Sequence, residues 1–304
     1  MVRIEGGFLE VALQNVFAMF LIMMASYVLM KKEPFPVEVV NNLVFHFFLP
    51  VTTFYSIARL QKIPAGELLL VTTCGFVALC ATYLFALLVA RLCGLRDQFR
   101  KTFLLGAAYG NHIFLGVPIC YAFLGERGTV PALFFALGGY LFLYGVGIYI
   151  MTGRVTPASI FKNPLILSMV AGIFCAALRI PLPSLLSHTY SLMNMATFPL
   201  SMVVVGGGLK LRFFIDSSRI RHALYASGIK LLISPFLAWG VCLALGLTRE
   251  QRDICVLQSA MPTAVLVTIF SVKYEADPVF SNAIVSLTTL AGMGTIPLLF
   301  LLLQ

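Results

Sequence analysis

The sequence predicts an all-α polytopic membrane protein, with ten transmembrane helices arranged as two inverted repeats of five and with the fourth and ninth helices interrupted. Three observations predict it. The 304 residues are 60% hydrophobic and 11% charged, whereas a soluble domain runs at about 45–50% apolar and ~25% charged. Ten apolar stretches each approach the ~20 residues that a spanning helix needs. Two prolines also fall inside such stretches at matching places in the two halves. They are Pro118 in Gly110-Asn111-His112-Ile113-Phe114-Leu115-Gly116-Val117-Pro118 and Pro262 in Gln258-Ser259-Ala260-Met261-Pro262-Thr263-Ala264.

Span 1 covers 8–30. It reads as a span and not a cleavable leader, because Arg3 is the sole early base, Glu5, Glu10, Gln14 and Asn15 interrupt any apolar core, and no A-x-A site follows. Span 2 covers 38–60 and carries Pro50. Span 3 covers 67–92, and span 4 covers 102–124 around Pro118. Span 5 (131–151) and span 6 (164–180) open on Pro131 and Pro164, where a first-turn proline gives up no hydrogen bond. Span 7 covers 184–209 and carries Pro199. Span 8 covers 221–245, span 9 covers 253–274 around Pro262, and span 10 covers 279–303 after Pro278.

The longest central connection, 152–163, divides the chain into a first repeat, 1–151, and a second, 164–304. Pro262 follows Pro118 by 144 residues, and Pro199 follows Pro50 by 149. Five spans per repeat is an odd number, so the second repeat must be inverted in the membrane. Inverted repeats with paired interruptions are the plan of many secondary transporters. The competing reading is chance, since membrane prolines are common and apolar segments resemble one another.

The net charge of +9 is spread over short loops. No basic helix or arm tracks phosphates, so nucleic acid is not an expected partner. Thirteen of the 21 lysines and arginines lie in loops after odd-numbered spans and seven on the other side, with Lys230 inside span 8. The positive-inside rule then puts the odd loops in the cytoplasm and both termini outside a cell membrane. The seven cysteines form no CxxC pair. They read as small buried hydrophobes, with no metal site expected.

The motifs also resemble a known family. Gly110-Asn111 followed by Leu115-Gly116-Val117-Pro118-Ile119 looks like the fourth-helix motif of auxin efflux carriers. Met261-Pro262-Thr263-Ala264-Val265, then Tyr274-Glu275-Ala276-Asp277, is similar to that family's ninth-helix motif. Leu49-Pro50 and Pro199 with Gly206-Gly207-Gly208-Leu209 also fit. The resemblance covers nearly the whole chain and points to the compact bacterial type. It implies a fold akin to bile acid:sodium symporters, with a scaffold (helices 1, 2, 6 and 7) and a mobile core (helices 3–5 and 8–10). In that core, broken helices 4 and 9 cross at mid-membrane. It implies small organic anions as substrates, either auxin-like acids or dicarboxylates such as malate and malonate. It also implies an elevator-like alternating access and a homodimer through the scaffold. His112 and Leu266 depart from the family pattern, in which many members place a small or hydroxyl residue and a polar residue such as Asn there.

An interrupted helix exposes amide N–H groups at the start of its second half, carrying about half a positive charge. A carboxylate suits such a site. The first halves end in carbonyls that suit a cation or donor. Asn111 both donates and accepts, so it either binds substrate or caps backbone. His112 titrates near neutrality when unperturbed; it is either a proton carrier and substrate contact or a packing histidine. Gly110 and Pro118, with Gln258, Ser259, Pro262 and Thr263, complete the two breaks. His46 and Pro50 in span 2, Asn194 in span 7 and Tyr140 (with Tyr144) in span 5 are candidates for lining the cavity; helix packing is the alternative for each. Lys230 is expected to snorkel toward the cytoplasmic face; the alternative is a fixed counter-charge or a coupling group.

No ATP-binding motif, HExxH, Gly-x-Ser-Gly or paired in-span aspartate occurs. A secondary or facilitative transporter is therefore expected over an intramembrane enzyme or an ion channel. No cofactor is expected. Coupling is to a proton or, in the alternative bile-acid-like reading, to sodium.

Overall fold

The computed structural model describes residues 6–60, 64–154, 162–210 and 217–303. Arg3, Lys62, Arg212 and most of the 152–163 connector lie outside the described residues. Among those described the chain is helical, with no strand. Helices run Gly6–Lys32 (α1), Val37–Ala58 (α2), Ala65–Leu92 (α3), Asp97–Ala108 (α4a) and His112–Leu124 (α4b). There follow Glu126–Thr152 (α5), Pro164–Ala177 (α6) and Ser184–Gly207 (α7). Ser217–Gly228 continues through Ile229–Ile233 into Ser234–Ala244 (α8). Arg249–Ser259 (α9a), Leu266–Lys273 (α9b) and Pro278–Leu303 (α10) complete the chain.

Six of these helices are long and apolar enough to cross a bilayer: α1, α2, α3, α5, α8 from Arg219 on, and α10. Their outward faces are apolar too. Leu21, Leu69, Leu84, Phe174, Met195, Phe236 and Leu302 are each more than half exposed. Surface of that kind drives association in water but matches lipid. α6 has 14 residues, about 21 Å at 1.5 Å per residue, against a hydrocarbon core of ~30 Å.

Small residues set the helix packing. A Cβ at Gly206 in α7 would fall inside contact distance of the Met23 carbonyl in α1, and one at Gly138 in α5 would do the same at the Thr72 carbonyl in α3. α1 and α2 pack on α7, and α2 packs on α6. α3 packs on α5, α4a and α8, and α8 packs on α9a.

The prolines act differently from expectation. Span 4 is interrupted at Tyr109–Asn111, not at Pro118. Pro118 sits in the second position after a wide π turn, His112–Gly116, where its missing N–H is tolerated. Pro50 follows the π turn Val44–Phe48 and Pro235 follows Ile229–Ile233 in the same way. Pro199 lies inside a continuous α7. Pro131 is not at a helix start: α5 begins at Glu126, a turn earlier.

Candidate functional site

The two interruptions meet. α4a stops at Ala108, Tyr109 turns extended (φ −93°, ψ 117°), and Asn111 (φ −80°, ψ 66°) starts α4b. Gly110, a poor helix former, lies between them. The gap between Ser259 and Leu266 contains Pro262. The gaps run antiparallel, with Gly110 opposite Thr263. The Asn111 amide donates to the Pro262 carbonyl (2.7 Å), and the Ala264 amide donates to the Tyr109 carbonyl (3.3 Å). Each break thus satisfies backbone that the other has freed, which a low-dielectric interior requires.

Carbonyls at the end of α9a are fully used. Val256 and Leu257 accept from the Ala260 amide, and Gln258 accepts from the Met261 amide. The Gln258 carbonyl also meets His112 Nδ1 at 3.1 Å. Ser259 accepts from Lys230 Nζ at 2.8 Å. Two of the four terminal carbonyls of α9a are therefore held by cation-capable side chains from other helices. On the α4a side, the Thr263 hydroxyl donates to the Gly106 carbonyl at 2.7 Å.

The second halves open on one cavity of about 200 Å³. Asn111, His112, Ile113 and Phe114 line it from the start of α4b, and Ala264, Val265, Leu266 and Ile269 from the start of α9b. Tyr140 and Tyr144 of α5 form a further wall, with ring centroids 6.1 Å apart. Asn41 and Phe45 of α2 and Val204 and Val205 of α7 close it. The lining includes no arginine, lysine or carboxylate, and Asn111, Asn41, His112, two helix starts and the tyrosines supply its polarity. Asn111 Oδ1 accepts from the Phe114 amide at 3.2 Å. That cap uses Oδ1 and leaves the Nδ2 donor without a role in the cap. A larger open hollow of about 460 Å³ lies at the ends of α2 and α6. Its Arg59 is paired with Glu126, and no interrupted helix reaches it.

Of the residues singled out from sequence, Gly110, Asn111, His112 and Tyr140 share the cavity. Gln258, Ser259, Pro262 and Thr263 sit behind it. Gln258 is fully buried with Nε2 on the Ala132 carbonyl at 3.4 Å, and Thr263 is bonded to α4a and to Thr288. Pro118 is buried in α4b. His46 is exposed, with Nδ1 on the Asn42 carbonyl at 3.1 Å; Pro50 and Asn194 are half-buried, and none of the three lines the cavity. Lys230 does not snorkel: its side chain is 0% exposed and turns inward to the crossing. It lies in the π turn Ile229–Ile233, where the register departs from that of an α-helix, which length along the helix cannot reveal. His112 bonds on both sides: Nδ1–H to the Gln258 carbonyl, and Nε2 as acceptor from the Gly110 amide at 3.3 Å. Sequence reasoning missed Asn41, Phe45 and Tyr109. Asn41 is a polar residue in an apolar span, a signal as strong as that of Asn194. It also missed that the sulfurs of Cys74, Cys242 and Cys255, far apart in sequence, lie within 4.8 Å of one another.

A family model described as membrane transport protein matches residues 11–160 and 153–300. An uncharacterized transporter of Methanothermobacter thermautotrophicus is 26% identical over 265 residues, 85% of this chain and 86% of its own. One of Methanocaldococcus jannaschii is 26% identical over 282 residues, 86% of this chain and 88% of its own. A probable auxin efflux carrier component, 1b, of Oryza sativa subsp. japonica is 22% identical over 131 residues, 41% of this chain and 24% of the carrier.

Proposed function

The chain belongs to the membrane transport protein family, the auxin efflux carrier type, and from that premise we propose a secondary-active or facilitative carrier of a small organic anion. One observation carries the reading: the first residues of α4b and α9b line the same cavity, Asn111 among them. Two helix starts present about half a positive charge each, so a mono- or dicarboxylate is held without a buried arginine. The volume suits the class, since about 200 Å³ is below the ~300–1,000 Å³ of drug-sized pockets.

The proposed architecture is ten spans in two inverted repeats, 1–151 and 164–304. The core (α3–α5, α8–α10) moves elevator-like against the scaffold (α1, α2, α6, α7) in a cell membrane with both termini outside. The cavity walls support that division, because α2 and α7 face α4, α5 and α9 across it. Coupling, where present, is to a proton. His112 is the proposed carrier: protonating Nε2 would turn the acceptor for the Gly110 amide into a donor and disturb the paired strand. Sodium coupling is less favoured, since Lys230 already uses the Ser259 carbonyl. The test is uptake of labelled mono- and dicarboxylates into proteoliposomes under imposed proton or sodium gradients. Saturable uptake with counterflow, lost in Asn111→Ala, is expected; channel-like current or no transported acid would refute it.

A further inference from the structure

Lys230 is among the largest fully buried side chains of the protein, in company with Phe103, Phe135 and Phe280. Among the described residues it takes part in no ion pair, and its hydrogen bond goes to a backbone carbonyl, that of Ser259. A charge at that depth is costly and marks a functional group by default, so an ornamental lysine is not expected there. The carbonyl it meets is the last of α9a, the negative end of a helix that stops inside the protein. Space is cleared for it as well. A Cβ at Gly110 would lie 2.8 Å from Lys230 Cε and 2.9 Å from Nζ, so glycine at the crossing lets the lysine pass beneath the paired strand.

We infer that Lys230 is a tethered cation, built into the crossing to neutralise the carbonyl end of α9a where a free metal ion would otherwise be required. It is a positioning residue. It does not line the cavity, but it holds the α9a end against the strand that carries Gly110 and Asn111. The wild-type crossing therefore needs no alkali cation. Removing the side chain leaves a hole the length of a propylammonium ion with the Ser259 carbonyl at its end, because Lys230→Ala deletes three methylenes and the ammonium. The inference rests on the transport reading only for its uptake arm.

The test uses the full chain, purified in detergent and reconstituted. Thermal unfolding of wild type should be the same in sodium, potassium and choline chloride. Lys230→Ala should unfold earlier by on the order of 5 °C. Propylammonium should restore that loss, and tetramethylammonium, too wide for the hole, should not. Lys230→Met, which fills the hole as far as the ε carbon and drops the ammonium, should be lowered and indifferent to propylammonium. If Lys230→Ala does not accumulate, Lys230→Met and the wild-type salt series decide. A Lys230→Met protein with wild-type unfolding, a Lys230→Ala protein blind to propylammonium, or a wild type that requires sodium overturns the inference. In the uptake arm, propylammonium should raise Lys230→Ala transport at least several-fold. A panel with no transported carboxylate would sink the anion reading and leave the unfolding results standing.

Discussion

Gly110→Ala places a methyl at the tightest point of the crossing. That methyl would lie 2.8 Å from Lys230 Cε, 2.9 Å from Lys230 Nζ and 2.9 Å from His112 Cε1, where carbon contacts settle at about 3.5–4.0 Å. All three obstacles are side-chain ends, so the fold survives, but they must retreat by roughly 1 Å. Neither can do so freely, since Nζ is bonded to the Ser259 carbonyl at 2.8 Å and His112 Nδ1 to the Gln258 carbonyl at 3.1 Å. Losing a hydrogen bond to a charged group costs ~1.5–3 kcal/mol, and overpacking adds ~1–3 kcal/mol. About 3 kcal/mol at ~2–4 °C per kcal/mol predicts an unfolding temperature lower by roughly 6–12 °C. The control is Gly228→Ala, two residues before Lys230 in the same helix, where a Cβ meets nothing within 4 Å. It should hold or gain slightly, because alanine favours helix over glycine by ~0.5–1 kcal/mol. All seven cysteines are free, so a thiol-reactive dye can follow both variants in detergent. Gly110→Ala unfolding within 2 °C (an order-of-magnitude assay limit) of wild type would refute the packing reasoning.

Asn111→Asp keeps the oxygen that caps the Phe114 amide but sets a negative charge at the cavity proposed to hold an anion; uptake should fall at least tenfold with unfolding nearly unchanged, and retained uptake would reduce Asn111 to a cap. His112→Gln should flatten the pH profile of uptake, since the Nε2 proton that competes with the Gly110 amide is gone; an identical profile removes His112 from coupling. Gly206→Ala drives a methyl into the Met23 carbonyl, a backbone atom that cannot swing away; it should cost ~2 kcal/mol or more, read as lost folded yield, and normal yield would count against the α1–α7 packing. Tyr140→Phe tests the cavity wall: a several-fold rise in KM with unchanged unfolding is expected if the hydroxyl touches substrate.

Some of this was legible in the chain. Apolar length located the helices, because burying backbone in lipid demands continuous hydrogen bonding. Gly110-Asn111 and Pro262 marked the breaks, because neither segment can continue an ordinary helix. What failed was rotational. Whether Asn41 or Asn194 faces the cavity depends on the angle at which α2 and α7 pack, and no residue states that angle locally. Lys230 failed for the same reason, since the π turn takes in an extra residue per turn and shifts the helical register that residue counting assumes. Pro118 misled because the widened turn before it absorbs the ring, and the true break lies seven residues earlier, at Asn111.

The short antiparallel pairing of Gly110 with Thr263 has a mechanical consequence. Main-chain bonds run both ways across it, from Asn111 to Pro262 and from Ala264 to Tyr109, so none of the four half-rods can tilt without dragging the other three. On the elevator-like motion proposed above, a cargo berthed between them would travel with its berth, and the sliding seam would be the wall that α2 and α7 present opposite.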